Sequence, residues 1–280
     1  MLVCLTTQSL KDTLSDKRKN HSIGFVPTMG ALHEGHLSLI KEAQRNNDIV
    51  VVSIFVNPTQ FDNKEDLEKY PRTLEQDSKL LTGIKCDIVF APTANDIYQK
   101  NIHSTSFRFG GLEHAMEGKF RKGHFDGVGT IVQRLFEIVE PSNAYFGEKD
   151  FQQLQIIKKL VASYNIPTKI IGCKIHREKD GLAMSSRNAR LSKKHREVAP
   201  FIYKILKEAK IRFETQSATK VDQWVHEQFK KNQYLKLEYF EIANAKTLKT
   251  ISRKRKGNKY RGFIAAFAGK IRLIDNIALN

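Results

Sequence analysis

Over its first 175 residues the chain alternates short apolar runs with segments of helical length, and this alternation constrains the fold most. Five runs that are rich in Val, Ile or Phe and bounded by Gly, Pro, Asn or Asp predict strands, at residues 22–27, 49–56, 87–91, 143–147 and 168–173. Between them, apolar residues recur at helical spacing, as in residues 128–139 and 154–161. Strands that alternate with helices form a parallel sheet covered by helices. We therefore predict an α/β fold with a Rossmann-like parallel sheet.

The pattern changes at about residue 176. Ser192 can cap a long helix that reaches about residue 215, and residues 219–231 suggest another helix. Further strands are predicted at 234–243, 262–268 and 270–275, with a basic loop at 253–259. This pattern indicates a larger domain over residues 1–176 and a smaller α+β C-terminal domain over residues 177–280, joined by a polar hinge near 176–180.

The net charge of +17 is unevenly distributed along the chain. Residues 186–280 contain 23 Lys and Arg against 8 Asp and Glu, whereas residues 1–185 contain 24 against 22. Such an excess fits contact with nucleic acid, a cationic lid over a phosphate-rich ligand, or a solvated basic surface. Of these, we expect nucleic acid least, because the C-terminal third lacks an evident aromatic stacking motif.

Localisation is expected to be cytoplasmic. No run of 18 apolar residues exists, which excludes a membrane span, and the N-terminus lacks the basic start and apolar core of a secretion signal. The three cysteines, Cys4, Cys86 and Cys173, lie far apart and form neither a metal-binding pattern nor a disulfide framework. We interpret them as free thiols in a reducing compartment.

The first predicted strand leads into the sequence Pro-Thr-Met-Gly-Ala-Leu-His-Glu-Gly-His, residues 27–36. A glycine turn that opens a helix would place His33 and His36, three residues apart, on one side of the helix N-terminus. Backbone N–H groups and the helix dipole converge there and favour a polyphosphate. A metal site is disfavoured, because no third ligand is near in sequence. This stretch indicates an enzyme that uses a nucleotide.

Three more polar clusters follow predicted strands, where ligands bind in parallel sheets. Gln60 lies in the aromatic segment 55–61 and suits a small polar ligand. Lys149 begins a helix after residues 143–147, although the helix dipole disfavours a cation there. Two hydroxyls and a guanidinium in the loop at residues 184–188 can clamp a phosphate. For Gln60 alone, and for the loop at residues 184–188 alone, an ordinary loop is the alternative interpretation.

Two weaker signals complete the set. Residues 70–73, with Asp77 four residues further on, could place Arg72 and a carboxylate beside a magnesium ion. Residues 121–127 form a basic, glycine-marked loop before a helix, and an ordinary surface loop explains this segment equally well.

Taken in order along the chain, these motifs resemble the pantothenate synthetase (pantoate–β-alanine ligase) family. The resemblance is carried by residues 26–36, 55–61, 70–73, 123–128, 146–153 and 181–190, and is loose over the last hundred residues. It implies a nucleotidyltransferase-type Rossmann domain with a His-x-Gly-His signature, a small C-terminal lid domain, and a homodimer. It also implies a reaction in which ATP and pantoate give pantoyl adenylate and pyrophosphate. β-Alanine then displaces AMP to give pantothenate, and Mg²⁺ is required.

The resemblance also implies roles for individual residues. The implied catalytic residues, which act on the phosphates, are His33, His36, Lys149 and Arg187. The implied ATP-binding residues are Met29, Gly30, Ala31, Leu32, His33, Glu34, Gly35, His36, Gly147, Glu148, Lys149, Asp150, His176, Met184, Ser185, Ser186 and Arg187. Pro27, Met29, Gln60 and Gln153 match the pocket for pantoate and β-alanine.

The chain departs from the family pattern at a few positions. Lys122 stands where proline is common, Asn63 and Lys64 replace a glycine- and proline-containing turn, and His176 stands where a small aliphatic residue usually presents its backbone to adenine. Two other functions stay open. A nucleotidylyltransferase would share the histidine motif but have no use for the Gln60 and Gln153 pocket, and a nucleic-acid-binding protein would use the basic C-terminal third.

Overall fold

The computed structural model describes residues 1–99 and 101–280, and their contacts divide the chain into two units. The first unit consists of residues 1–113, 117–148 and 153–174. The second consists of residues 114–116, 149–152 and 175–280, so it takes two short pieces from the N-terminal part of the chain. The division into a domain of residues 1–176 and a domain of residues 177–280 stays a prediction.

A six-stranded sheet forms the centre of the first unit. Its strands are β1 (Leu2–Cys4), β2 (Ile23–Thr28), β3 (Ile49–Ile54), β4 (Ile88–Phe90), β5 (Asn143–Gly147) and β6 (Lys169–Cys173). Their order is β1-β4-β3-β2-β5-β6, and every neighbouring pair is parallel. The predicted parallel α/β fold is confirmed. All five predicted strands form, whereas β1, an exposed edge strand of three residues, was not predicted.

Helices connect these strands. They are α1 (Thr7–Ser15), α2 (Lys17–Asn20), α3 (Glu34–Asn46), α4 (Lys64–Glu68), α5 (Leu74–Gly83), α6 (Ala94–Tyr98), α7 (Met116–Phe120), α8 (His124–Val139) and α9 (Phe151–Ser163). α8 is the most buried of them, with an apolar face that includes Val128, Ile131 and Leu135. The first residues of α7 and α9 belong to the second unit.

The direction in which the chain builds the sheet reverses between the neighbouring strands β2 and β5. From β2 the chain continues outward through β3 to β4, whereas β5 and β6 extend the sheet on the other side. Ligands in open parallel sheets bind beyond the carboxyl ends of the strands at such a point. The segment after β2 contains His33 and His36, so these two side chains lie where the topology predicts a ligand-binding site.

The second unit contains a three-stranded antiparallel sheet formed by β7 (Leu235–Asn244), β8 (Tyr260–Ala268) and β9 (Ile271–Ala278). Its helices are α10 (Lys193–Val198), α11 (Phe201–Thr215) and α12 (Ala218–Lys230). Buried residues of α11 and α12, among them Leu206, Phe213 and Val225, form one core with Phe240 and Ile264 of the sheet. In the part of the chain that the structure describes, every helix is too short or too polar to cross a bilayer.

The prediction of one helix from Ser192 to about residue 215 is wrong in one respect. The hydroxyl of Ser192 caps the start of α10 as expected, by accepting the backbone N–H of His195. The helix is then interrupted at Ala199 and Pro200, and α11 begins at Phe201. Proline has no N–H to donate and its ring crowds the preceding turn, so one continuous helix is not formed.

Candidate active site

The turn between β2 and α3 has an unusual backbone conformation. Gly30 adopts a φ of 81° and Ala31 a φ of 50°. A Cβ atom at position 30 would lie 3.0 Å from Ile54 Cγ2, so the turn requires glycine for both its φ and its space. The buried Thr28 hydroxyl accepts the N–H of Gly30 at 3.2 Å and donates to the carbonyl of Ser53 at 2.7 Å. These contacts fasten the turn to the end of β3.

Asp77 supports the same turn from α5. Its carboxylate is buried and accepts the backbone N–H groups of Ala31 at 3.0 Å and Leu32 at 2.7 Å. The Thr73 hydroxyl donates to it as well, at 3.1 Å. The magnesium hypothesis for Asp77 does not fit this geometry, because both carboxylate oxygens already accept protein donors and Arg72 is exposed. Asp77 shapes the loop that presents the histidines.

His33 and His36 stack against each other at the N-terminus of α3. The two ring centroids are 4.0 Å apart and the planes are inclined by 22°. His33 is the N-cap residue with extended backbone, and its carbonyl accepts the N–H of Leu37. Both side chains are half-buried, whereas Glu34 is exposed. Two imidazoles at a helix N-terminus can provide donors for phosphoryl oxygens.

Gln60 is positioned beside the turn by a buried asparagine. Asn57 Nδ2 donates to Gln60 Oε1 at 3.2 Å and to the carbonyl of Gly127 at 3.2 Å. The Tyr98 hydroxyl donates to Asn57 Oδ1 at 2.6 Å, and burial raises the pKa of Tyr98, so it stays a donor at neutral pH. Gln60 Nε2 lies 3.2 Å from Met29 Sδ. Two of the residues predicted for the acid pocket are therefore in contact.

A buried histidine holds the backbone of Gln60. His124 Nδ1 lies 2.9 Å from the carbonyl of Gln60, and Arg121 Nη1 lies 3.1 Å from His124 Nε2. Because arginine can only donate, Nε2 accepts and the proton of the neutral ring lies on Nδ1. Burial, reinforced by the Arg121 charge, lowers the pKa of His124 to about 4. The histidine is thus neutral at physiological pH.

The second unit contains the remaining phosphate-binding candidates. Lys149 Nζ lies 3.4 Å from Asp150 Oδ1, and the ammonium is largely shielded from solvent. The Ser185 hydroxyl accepts the N–H of Arg187 at 3.3 Å and caps the 3₁₀ turn Ser186–Arg190. The N–H of Met184, next to Ser185, donates to the carbonyl of His176 at 3.0 Å. The second unit therefore contains a lysine and a loop with two serine hydroxyls and an arginine.

The other predicted residues lie as follows. Pro27 is on β2 opposite Ser53, and Gly147 ends β5 opposite Cys173. Gly35 is in the first turn of α3, Glu148 begins a 3₁₀ turn, and Gln153 is in the first turn of α9. Asn57, Tyr98 and His124 support Gln60 but give no signal in the sequence, because their contacts join segments 41 to 70 residues apart.

Two of the three cysteines, Cys86 and Cys173, are not suited to nucleophilic chemistry. Cys4, Cys86 and Cys173 are all free thiols. Burial raises the pKa of Cys86 to about 12 and that of Cys173 to about 11, so these thiols stay protonated at neutral pH. Their predicted status as free thiols is confirmed.

Comparison with known proteins identifies the family. Residues 2–278 match the family described as Pantoate-beta-alanine ligase. The chain belongs to this family. A pantothenate synthetase of Christiangramia forsetii is 58% identical over 99% of the chain and 97% of that protein, and one of Flavobacterium psychrophilum is 58% identical over 96% and 95%. As a pantoate–β-alanine ligase family member, the chain is an enzyme.

Solved structures of the family share the fold. A pantothenate synthetase of Thermus thermophilus superposes with a TM-score of 0.93 at 38% identity, covering 100% of the chain and 99% of that protein. A pantoate–β-alanine ligase of Francisella tularensis, solved in complex with beta-gamma ATP and beta-alanine, has a TM-score of 0.82 at 38% identity, covering 100% and 98%. The predicted resemblance and fold class are confirmed.

Proposed function

We propose that the chain condenses pantoate with β-alanine in two steps, using ATP and releasing AMP and pyrophosphate. The observation that carries the proposal is the arrangement after β2, where the stacked His33 and His36 follow a turn whose Met29 touches Gln60. The segment after β2 thus carries hydrogen-bond donors suited to phosphate, and it is in contact with an amide suited to a polar acid. The Francisella relative, which was solved with an ATP compound and β-alanine, supports ATP and β-alanine as substrates.

In the first step, a carboxylate oxygen of pantoate attacks the α-phosphorus of ATP, and the bond to the pyrophosphate oxygen breaks. Charge develops on the phosphate oxygens, so the step depends on positioned donors. We assign His33, His36, Lys149 and Arg187 to these oxygens. The adenosine and phosphate contacts are assigned to the backbone of residues 29–35 and to Gly147, Glu148, Asp150, His176, Met184, Ser185 and Ser186.

In the second step, the amine of β-alanine attacks the acyl carbon of the mixed anhydride. The C–O bond to the adenylate breaks, AMP leaves with the former carboxylate oxygen, and the amine loses a proton. Gln60, Gln153, Pro27 and Met29 are assigned to orient the acid. Water would destroy the anhydride, which favours a lid formed by the C-terminal residues.

Magnesium is proposed to enter as the ATP complex. Mg²⁺ commonly keeps several waters and binds through substrate phosphates with few carboxylates. Among residues 1–99 and 101–280, no group of three or more His, Cys, Asp or Glu side chains could hold a metal. Both oxygens of Asp77 already accept protein donors. These two observations favour an ion held by the phosphates.

The wider setting is also a proposal. We propose a cytoplasmic homodimer that acts on small molecules and does not use nucleic acid. The cytoplasm fits the free thiols. The basic C-terminal third is assigned to attracting ATP, since a cationic surface raises the local concentration of an anionic substrate.

The test incubates the protein with ATP, Mg²⁺, pantoate and β-alanine, and then omits each in turn. We expect pyrophosphate release that requires pantoate, and AMP release that requires β-alanine in addition. A nucleotidylyltransferase would leave its nucleotide on the product and release no AMP, and that result would overturn the proposal.

Two variants sharpen this assay. His36→Ala is expected to lower turnover at least about a hundredfold, as for the loss of a transition-state donor.

Gln60→Ala is expected to raise the KM for pantoate about tenfold or more while the KM for ATP stays within about twofold. Equal losses for both substrates would contradict a role of Gln60 in binding the acid.

A further inference from the structure

A polar network in the second unit ends at the backbone of Lys149. Asp275 and Asn276 lie on β9 and are both buried. Asn276 Nδ2 donates to the carbonyl oxygen of Lys149 at 2.8 Å. The backbone N–H of Asn276 donates to Asp275 Oδ1 at 2.7 Å, and Arg261 donates to Asn276 Oδ1. The amide of Asn276 is therefore fixed from both ends.

The network is itself anchored by two stacked arginines. Arg177 forms a two-pronged ion pair with Asp275, at 2.6 and 2.9 Å, and lies 3.6 Å above the ring centroid of Tyr203. Arg261 lies 3.9 Å above the ring centroid of Phe151. A buried network whose members are paired in this way is rigid, because any displacement exposes an uncompensated charge.

We infer that Asn276 is a positioning residue for Lys149 in the adenylation step. The inference rests on the proposed function, in which the Lys149 ammonium meets the phosphates. Asn276 holds the main chain of Lys149 itself. It therefore fixes the backbone position from which the long lysine side chain extends towards the substrate. A displacement of about 1 Å at a catalytic group can cost about a hundredfold in rate.

The alternative is that the hydrogen bond only stabilises the fold. The two roles differ in one respect: a positioning residue acts through Lys149, so its effect disappears once the lysine side chain is removed. A purely structural residue lowers activity by the same factor with or without the ammonium.

The test is a double-mutant cycle on pantoate-dependent pyrophosphate release. Asn276→Asp keeps the shape and the contact with Arg261, but puts an acceptor where the carbonyl of Lys149 needs a donor. We expect it to lower kcat at least about tenfold in the wild-type background. In a Lys149→Ala background, the same change is expected to alter kcat by less than about twofold.

Asn280→Asp serves as the matched control. Asn280 Nδ2 also donates to a backbone carbonyl, that of Asn258, at 2.8 Å, and its Oδ1 accepts the N–H of Tyr260. This variant is expected to keep kcat within about twofold of the wild type. Asn276→Ser is measured alongside and takes the place of Asn276→Asp if the latter does not fold, with thermal unfolding as the check.

The outcomes separate the two proposals. If wild-type protein releases no pyrophosphate in response to pantoate, the proposed function fails. If the wild type is active and the Asn276 variants retain wild-type kcat, or lose equal factors in both backgrounds, the positioning role of Asn276 is overturned while the proposed function stands.

Discussion

At the residue scale, Asp77 shows how a carboxylate near a nucleotide motif can be misread. Its spacing from residues 70–73 suggested a magnesium ligand, but the side chain is only 1% exposed and accepts the N–H groups of Ala31 and Leu32. The sequence shows that a carboxylate is present, whereas these partners lie 45 and 46 residues away and become visible only in the fold.

Asp77→Asn tests this interpretation. One of the two backbone N–H groups would face an amide donor, so we expect the free energy of unfolding to fall by about 1–3 kcal/mol. The Mg²⁺ concentration that gives half-maximal activity is expected to stay unchanged. Glu75→Gln, at an exposed position of the same helix, should change stability by less than about 0.5 kcal/mol. A shifted Mg²⁺ requirement with unchanged stability would restore Asp77 as a metal ligand.

The residues that local spacing could identify were those within one motif. His33 and His36 lie together at one helix start, as their separation of three residues predicts, and the structure shows in addition that their rings stack. The contact of Gln60 with Met29 could not be predicted from the residues alone, because the two are 31 positions apart in the chain and β3 lies between them. Resemblance to a family supplied that association, and the structure shows the atoms that make it.

At the element scale, the fit of α8 against the Pro58–Gln60 turn depends on Gly127. A Cβ atom at position 127 would lie 2.3 Å from the carbonyl oxygen of Thr59. Gly127→Ala must push the helix away from the turn, and we expect it to lower the free energy of unfolding by about 1–3 kcal/mol and to raise the KM for pantoate. Denaturant unfolding and steady-state kinetics measure both effects.

Gly83→Ala is the matched control. Gly83 ends α5, and a Cβ atom added there would have no heavy atom within 4 Å among the described residues. Alanine there should be neutral or stabilise by about 0.4–1 kcal/mol, because it restricts the unfolded chain. Equal effects of the two substitutions would contradict a close approach of α8 at Gly127.

The same contact region predicts a pH dependence of stability. The pKa of His124 is lowered to about 4 in the folded protein, against about 6.5 in the unfolded chain. The unfolded state therefore binds the proton more readily than the folded state does. The contribution of neutral His124 to the free energy of unfolding is thus fully present above pH 6.5 and is lost as the pH falls towards 4. The free energy of unfolding falls by about 3 kcal/mol over this range.

Urea unfolding between about pH 4 and 7 measures this loss. His124→Gln should flatten the corresponding part of the pH profile, since glutamine does not titrate. His103→Gln, which changes an exposed histidine of the same unit, should leave the profile as in the wild type. An unchanged profile in His124→Gln would show that the ring is not held in its neutral form.

Elements were predicted where several local signals agreed. The five apolar strands all form, because hydrophobic pattern and flanking turn residues point the same way. β1 was missed since three residues, two of them exposed, give no period to detect. The helix break was missed because the apolar spacing continues across Ala199 and Pro200 even though the backbone hydrogen bonds cannot.

At the scale of the whole molecule, the positive charge is concentrated in the second unit. Arg253, Lys254, Arg255 and Lys256 are all exposed, but Lys254 also donates to the carbonyl of Glu214 at 2.8 Å and is therefore kept. We expect replacing Arg253, Arg255 and Lys256 with glutamine to weaken ATP binding about threefold at low salt and to reduce its salt dependence.

The control removes the same number of charges from the first unit. Lys11, Lys17 and Lys19 are exposed on α1 and α2, and changing them to glutamine should leave ATP binding within about 1.5-fold. Isothermal titration at several salt concentrations provides the comparison. Similar losses in both triple variants would mean that only net charge matters, and no loss in either would place the C-terminal charge outside the field of the ligand.

The central claim is that a carboxylate oxygen of pantoate attacks the α-phosphorus of ATP. The direct measurement uses pantoate labelled with ¹⁸O in its carboxylate, with mass spectrometry of the nucleotide and phosphate products after a single turnover. We expect one ¹⁸O atom in AMP and none in pyrophosphate. Label in inorganic phosphate, accompanied by ADP, would contradict it, because the attack would then have occurred at the γ-phosphorus.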